Sequence, residues 1–381
     1  MKKRKLMSGN VAIDRISDLP DHIIIHHIFP YLDMKVIVQA SILSNRWRYL
    51  WKSTPYLNFH LDQCPRSKKR IYKTRFSTFV DRVLSLRDCS DIHTFSLHCK
   101  EILETSRICT WLLVALRWNV ENVFLDVDSS FNIGLPHNLF TLDNINRLKL
   151  RFWCSSGISK VILPTSICSN SMIKSLELKS VKLPKGNSDG ELVFSFPLLG
   201  DLVIGSCIHS HLTTFTISAP LLESLELLHP FQAGFGPTNL HMCTPKLRSF
   251  IYRGPIYGNY SFENLSQLVS AEIDIWEKVL VVEKQVFDQC IANVLQGIYN
   301  VEKLTIPSGL VKAIAASPYM MALVPNVFRN LRYTKLIDWT GDLCIQTITT
   351  FLEKLPQIGT FVWSKSAKEE VEFYKQGTLI G

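Results

Sequence analysis

His22 and His26 stand one helical turn apart, a spacing at which two imidazoles could share a metal ion. No third ligand lies near them in sequence, so solvated helix side chains are the expectation. Asp126 and Asp128 form a D-x-D at the end of an apolar run, a pattern that usually ends a strand and caps the turn. Ten cysteines are scattered between positions 64 and 344 with no C-x-x-C pair, which points to reduced, mostly buried thiols and not to a disulfide framework. The sequence is read as lacking a P-loop, a G-x-S-x-G elbow and an H-E-x-x-H helix. No catalytic residue, cofactor or metal is therefore expected.

Two other groups of residues suggest binding. "LSNRWRYLW" at 43–51 packs two tryptophans, a tyrosine and two arginines into nine positions, and exposed tryptophan usually has something covering it. Such a mixture could stack on single-stranded nucleic acid or pack on protein. Arg147, Lys149 and Arg151 alternate along an apolar run, which puts three like charges on one face of a strand about 7 Å apart. That arrangement is repulsive unless an acidic group relieves it.

The formal net charge of +9 is uneven. Residues 1–88 carry 17 Lys/Arg against 7 Asp/Glu, and the rest carries 25 against 26. A basic head joined to a nearly neutral body favours an acidic partner for the head, and a neutral body argues against nucleic acid. No apolar run approaches the roughly 20 residues of a membrane helix. "MKKRKLM" has no apolar segment behind it and does not read as a secretory signal. Its basic run Lys2–Lys5 suits nuclear import receptors, so a nuclear and/or cytoplasmic location is expected.

The elements that position these residues begin with three short helices. Pro20 suits a first turn flanked by Asp18 and Asp21, with Ile23, Ile24, Ile28 and Leu32 at apolar spacing behind it. Asp33 would cap a second helix reaching Leu43, with Ile37, Ala40 and Ile42 or Leu43 inward. Ser44 would cap a third, with Trp47, Leu50 and Trp51 on one face. Three helices in about 45 residues carry more apolar side chains than so small an interior needs, and the surplus points to a partner.

"DRISDLPDHIIIHHIFPYLDMKVIVQASILSNRWRYLWKSTPYLNF", residues 14–59, closely resembles an F-box of the form found in plant F-box/leucine-rich-repeat proteins. The likeness rests on Leu19-Pro20, on Leu43-Ser44 before Arg46-Trp47-Arg48, and on Leu50-Trp51. It departs from the usual pattern at Pro30, which should end the first helix early, and in the run Ile23–Ile25, which is one residue longer. The resemblance implies binding to a Skp-type adaptor and, through it, to a cullin. Carried over by position, Leu19, Pro20, Ile24, Ile28, Leu43, Trp47 and Leu50 would form the adaptor-facing set.

Beyond residue 90 an apolar-x-x-apolar-x-apolar unit recurs, centred on residues 95, 123, 148, 176, 202, 225, 250, 271, 304, 334 and 361. The intervals of 21–33 residues suit leucine-rich repeats, each supplying a short strand to a stacked solenoid. Only Cys207 stands at the Asn/Cys ladder position of such repeats. A helix around Phe76, Phe79, Val80 and Val83 would cap the first rung, and a second over 283–299 would fill the longest interval. Residues 328–363 resemble the FBD region often paired with plant F-boxes. The expected fold is α/β: a three-helix F-box followed by an irregular leucine-rich-repeat solenoid with a curved parallel sheet. Its divisions are a basic tail (1–13), the F-box (14–59), a basic linker and capping helix (60–89), repeats (90–310) and degenerate FBD-like terminal repeats (311–381). The function expected is a non-catalytic, substrate-recognising subunit of a cullin-based ubiquitin ligase; the alternatives are an adaptor-bound interaction scaffold without a degradation target and, behind it, a nucleic-acid-binding protein. Its unknown target protein would bind on the outward side of the strands, with Arg147, Lys149 and Arg151 foremost.

Overall fold

The computed structural model describes residues 19–42, 45–61, 68–128, 133–153, 161–231, 238–256, 258–275, 284–337, 345–355, 359–366 and 369–374. The chain opens with α1 (Asp21–Ile23), which runs on through a π-helical turn at Ile24–Ile28 and a 3-10 turn at Phe29–Tyr31. Helix α2 (Met34–Ala40), helix α3 (Trp47–Leu50) and strand β1 (Tyr56–Leu61) follow. The π turn is how a helix absorbs one extra residue. It falls on the over-long isoleucine run, and Pro30, which lacks an N–H, sits in the tight turn that ends the helix. Asp33 caps α2 as expected, its carboxylate accepting from the Lys35 amide at 2.6 Å. Helix α2 stops at Ala40, short of the expected Leu43, and Leu43 and Ser44 lie outside the described residues.

Among the described residues thirteen strands form one open sheet, with β1 at one edge. Next come β2 (Thr94–Cys99), β3 (Asn122–Asp128), β4 (Arg147–Trp153), β5 (Ser175–Lys179) and β7 (Asp201–Cys207). They are followed by β9 (Ser224–Phe231), β11 (Ser249–Gly254), β13 (Ser270–Ile275), β14 (Lys303–Pro307), β15 (Tyr333–Ile337) and β16 (Thr360–Ser366). All these pairs are parallel, and only the last strand, β17 (Glu369–Tyr374), pairs antiparallel. The register is the expected one at every rung. Phe95, Val123, Leu148, Leu176, Leu202, Leu225, Phe250, Ala271, Leu304, Thr334 and Phe361 lie side by side across the sheet. Leu57 precedes Phe95 in the same row, so β1 is a twelfth rung that crosses the expected boundary at residue 59.

That extra strand changes the role of α4 (Lys69–Leu86). It was expected to cap the array, but it is the return leg between β1 and β2, burying Phe76, Val80 and Val83. It is joined to α5 (Thr105–Arg117), the return leg after β2, through Asp81, which accepts from the buried Trp111 indole N–H at 2.7 Å and pairs with Arg107. Later return legs include α6 (Lys284–Gly297), close to the expected 283–299, then α7 (Ser308–Ala316), α8 (Pro318–Val327) and α9 (Ile345–Glu353).

The middle return legs are strands. β6 (Glu191–Ser195), β8 (Thr214–Ser218), β10 (Asn239–Cys243) and β12 (Tyr260–Glu263) make a second parallel sheet in the order β12-β10-β8-β6. Their alternate residues Leu192, Phe194, Phe215, Ile217, Leu240, Met242 and Tyr260 are buried in the same core as the rung residues. Asparagine amides tie neighbouring repeats together: Asn144 donates to the Val120 carbonyl at 3.1 Å and Asn170 to that of Phe140 at 3.2 Å. Buried Cys207 has its thiol pushed up to about 12 by desolvation, so it packs as a neutral side chain.

Candidate functional site

The N-terminal helices are held together from within. Arg46, just before α3, reaches back to Asp21 at 2.7 Å and to the Leu19 carbonyl, fixing the start of α1. Asn58 on β1 donates to the Pro30 and Leu32 carbonyls at 3.0 and 3.3 Å, satisfying groups that the helix end leaves open and tying the head to the first rung. Ile24, Phe29, Met34, Ile37, Trp47, Leu50 and Leu57 share the core, with the Phe29 and Trp47 rings edge-to-face at 6.1 Å.

This packing takes three residues out of the expected partner-facing set. Trp47 is 6% exposed and Leu50 9%, and Ile24 is fully buried, so all three hold the head together and do not face outward. The reason is geometric: i, i+3 residues share a face, and on so short a helix that face is the one turned inward, where Trp47 meets Phe29. Pro20 is exposed, Leu19 and Ile28 are half-buried, and Leu43 is outside the described residues. The apolar side chains turned to solvent are Tyr31 (87% exposed), Ile42 (86%), Tyr49 (61%) and, less so, Val36. Periodicity alone did not single these out. His22 and His26 are exposed on the head's surface.

The second surface is the solvent side of the large sheet, where flanking residues line up in rows set by the register. One row runs Arg147, Ser175, Asp201, Ser224 and Ser249, and the next Lys149, Glu177, Val203, Glu226 and Ile251. The expected basic trio is therefore brought together on β4, but its charge is answered. Glu177, nearly buried, lies between Lys149 at 2.9 Å, Lys179 at 3.0 Å and Arg151. Burial alone would raise the Glu177 carboxyl, but hydrogen bonds from Arg151, Lys149 and Lys179 outweigh it and hold the group at about 2. Arg147 stands apart from this cluster and is exposed. In the row of Arg151, His60 and His98 stack at 4.4 Å, and Asp126 pairs with His98 at 3.1 Å and accepts from Trp153. Asp126 of the D-x-D thus engages its sheet neighbours.

Residues 186–190 do spell G-x-S-x-G, contrary to the expectation from sequence. Asn187 Oδ1 accepts from the Asp189 and Glu191 amides at 3.0 and 2.8 Å in a turn that enters strand β6. A nucleophile elbow requires a strand-to-helix turn, so the match carries no chemistry here.

The F-box domain family matches residues 16–58. A putative F-box protein of Arabidopsis thaliana is 26% identical over 385 residues, covering 92% of this chain and 73% of its own. An Arabidopsis F-box/LRR-repeat protein is 28% identical over 370 residues, with the same two shares of 92% and 73%. A putative F-box/FBD/LRR-repeat protein of that plant is 28% identical over 369 residues, covering 94% of this chain and 76% of its own. No solved structure matches the chain. With helices that end in the first strand of a parallel repeat sheet, this protein carries an F-box domain at its N-terminus and is similar over most of its length to plant F-box/LRR-repeat proteins.

Proposed function

We propose that this protein is the substrate-recognition subunit of a cullin-type (SCF) ubiquitin ligase, in which the N-terminal helices bind a Skp-type adaptor and the sheet's solvent face binds a target protein. The observation that carries this reading is the F-box match joined, with no spacer, to a stacked sheet. Such a subunit catalyses nothing itself and holds its target near the transfer machinery, where proximity raises the rate. No helix among the described residues is long and apolar enough to cross a membrane. A nuclear and/or cytoplasmic location is part of the same proposal.

Exposed Tyr31, Ile42 and Tyr49, with Pro20, are the side chains we assign to the adaptor, because an adaptor can bury them without opening the core. The test is paired affinity capture. A Tyr31→Asp, Ile42→Asp, Tyr49→Asp variant should lose the adaptor and keep the target, with an unchanged thermal midpoint. Trp47→Ala with Leu50→Ala should instead lower that midpoint, since both are core residues. Arg147→Glu, chosen because Lys149 and Arg151 are committed to Glu177, should lose the target and keep the adaptor. Undiminished adaptor capture by the folded triple variant sinks the assignment.

A further inference from the structure

Strand β10 carries His241 and Cys243 on one face, two residues apart, and the register places Ser261 beside His241 and Glu263 beside Cys243 on the neighbouring β12. These side chains point away from the core, whose share of the same strands is Leu240, Met242 and Tyr260. Three potential donor atoms of three chemical types converge there. His241 Nε2 lies 3.4 Å from Cys243 Sγ and 3.1 Å from Glu263 Oε1, and Cys243 Sγ donates to Glu263 Oε2 at 3.1 Å. The three groups offer one nitrogen, one sulfur and one oxygen all within 4.8 Å of one another.

We propose that His241, Cys243 and Glu263 form a zinc site on the outer sheet, with a fourth, open position for water. Bonds of about 2.0–2.3 Å to a tetrahedral ion put neighbouring ligand atoms about 3.4–3.6 Å apart, so the side chains need move only a few tenths of an ångström. The imidazole is prepared for the role. Its other nitrogen, Nδ1, is 2.7 Å from the Ser261 hydroxyl, an outer partner that turns Nε2 toward the thiol and carboxylate. A nitrogen, a thiolate and a carboxylate together suit zinc and are a poor set for the oxygen-seeking calcium or magnesium. Without metal the Cys243 thiol keeps its proton on the hydrogen bond to the Glu263 carboxylate at 3.1 Å. Binding exchanges that proton for the ion: the S–H bond breaks, an S–Zn bond forms, and the proton leaves to solvent. Strand β8, which flanks β10 on the other side, contributes Thr216 and Ser218, which bring no competing charge. The site would staple β12, the edge strand of the outer sheet, to β10.

The experiment uses the full chain, stripped with chelator and titrated with zinc alone and with cobalt(II) alone. The wild-type protein is expected to take up one equivalent more than Cys243→Ser or His241→Ala, and to show a thiolate-to-cobalt charge-transfer band that Cys243→Ser lacks. Glu263→Gln and Ser261→Ala are expected to bind about tenfold more weakly or worse. All four replacements are on outward-facing side chains, and metal-free thermal midpoints verify that each variant is folded. Zinc should raise the wild-type midpoint and leave that of Cys243→Ser unmoved. Equal metal uptake by wild type and Cys243→Ser, or no thiolate band in the wild type, overturns the proposal.

Discussion

Glu177 is the residue on which the solvent face of the sheet turns. Three cations on two neighbouring strands converge on one nearly buried carboxylate, which is why the alternating basic run on β4 is tolerated. Its folded carboxyl, at about 2, lies below the ordinary 4.5. The stabilisation it supplies is therefore fully present above about pH 4.5 and fades as pH falls toward 2. Glu177→Gln should cost about 1–3 kcal/mol at pH 7, because it leaves Lys149, Arg151 and Lys179 facing one another with weaker acceptors. Urea unfolding should show that deficit shrinking between pH 4.5 and 2.5 as the wild-type carboxylate protonates. A deficit that stays constant over that range would mean that packing, and not charge, is what the substitution disturbs.

Strand β1 decides how the head and the repeats can be separated. It belongs by sequence to the F-box stretch and by hydrogen bonding to the sheet, where Phe59 packs against Phe95 at 6.0 Å and Phe79 at 6.2 Å. A chain beginning at residue 55 keeps this strand. One beginning at residue 63 lacks it, strips α4 of that packing, and leaves β2 as a raw edge over Phe95 and Leu97. Unprotected edges pair with other chains. The first truncation should therefore run as a monomer on size exclusion, and the second should aggregate or unfold at lower temperature. Identical behaviour of the two would show that β1 is dispensable to the sheet.

Across the whole molecule the charge is divided, with a net +10 on residues 1–88 and −1 on the remaining 293. On the proposed function, the basic excess would suit an acidic adaptor at the head, and a neutral sheet would leave target choice to local groups such as Arg147. Lys2, Lys3, Arg4 and Lys5, the run behind the proposed nuclear location, lie outside the described residues. Replacing all four with alanine should shift a fluorescent fusion toward the cytoplasm. An unchanged distribution removes that run from the proposal and leaves the rest standing.

The phase of the large sheet was legible in the sequence because it is a local property. Two inward residues per strand recur at repeat spacing, and parallel stacking then allows only one row, from Phe95 to Phe361. The outer sheet was legible in principle, since Leu192/Phe194, Phe215/Ile217 and Leu240/Met242 alternate in the same way, but each run is five residues long and reads equally as a return loop. Periodicity also marks Trp47 and Leu50 as one apolar face without saying whose surface covers it. Only tertiary packing decided that the head's own core does, with Phe29 edge-to-face on Trp47, leaving Tyr31, Ile42 and Tyr49 exposed. The meeting of His241 and Cys243 with Glu263 is of the same kind. Twenty residues separate Cys243 from Glu263, and their contact exists because the register of two parallel strands, a long-range outcome of packing, sets them side by side.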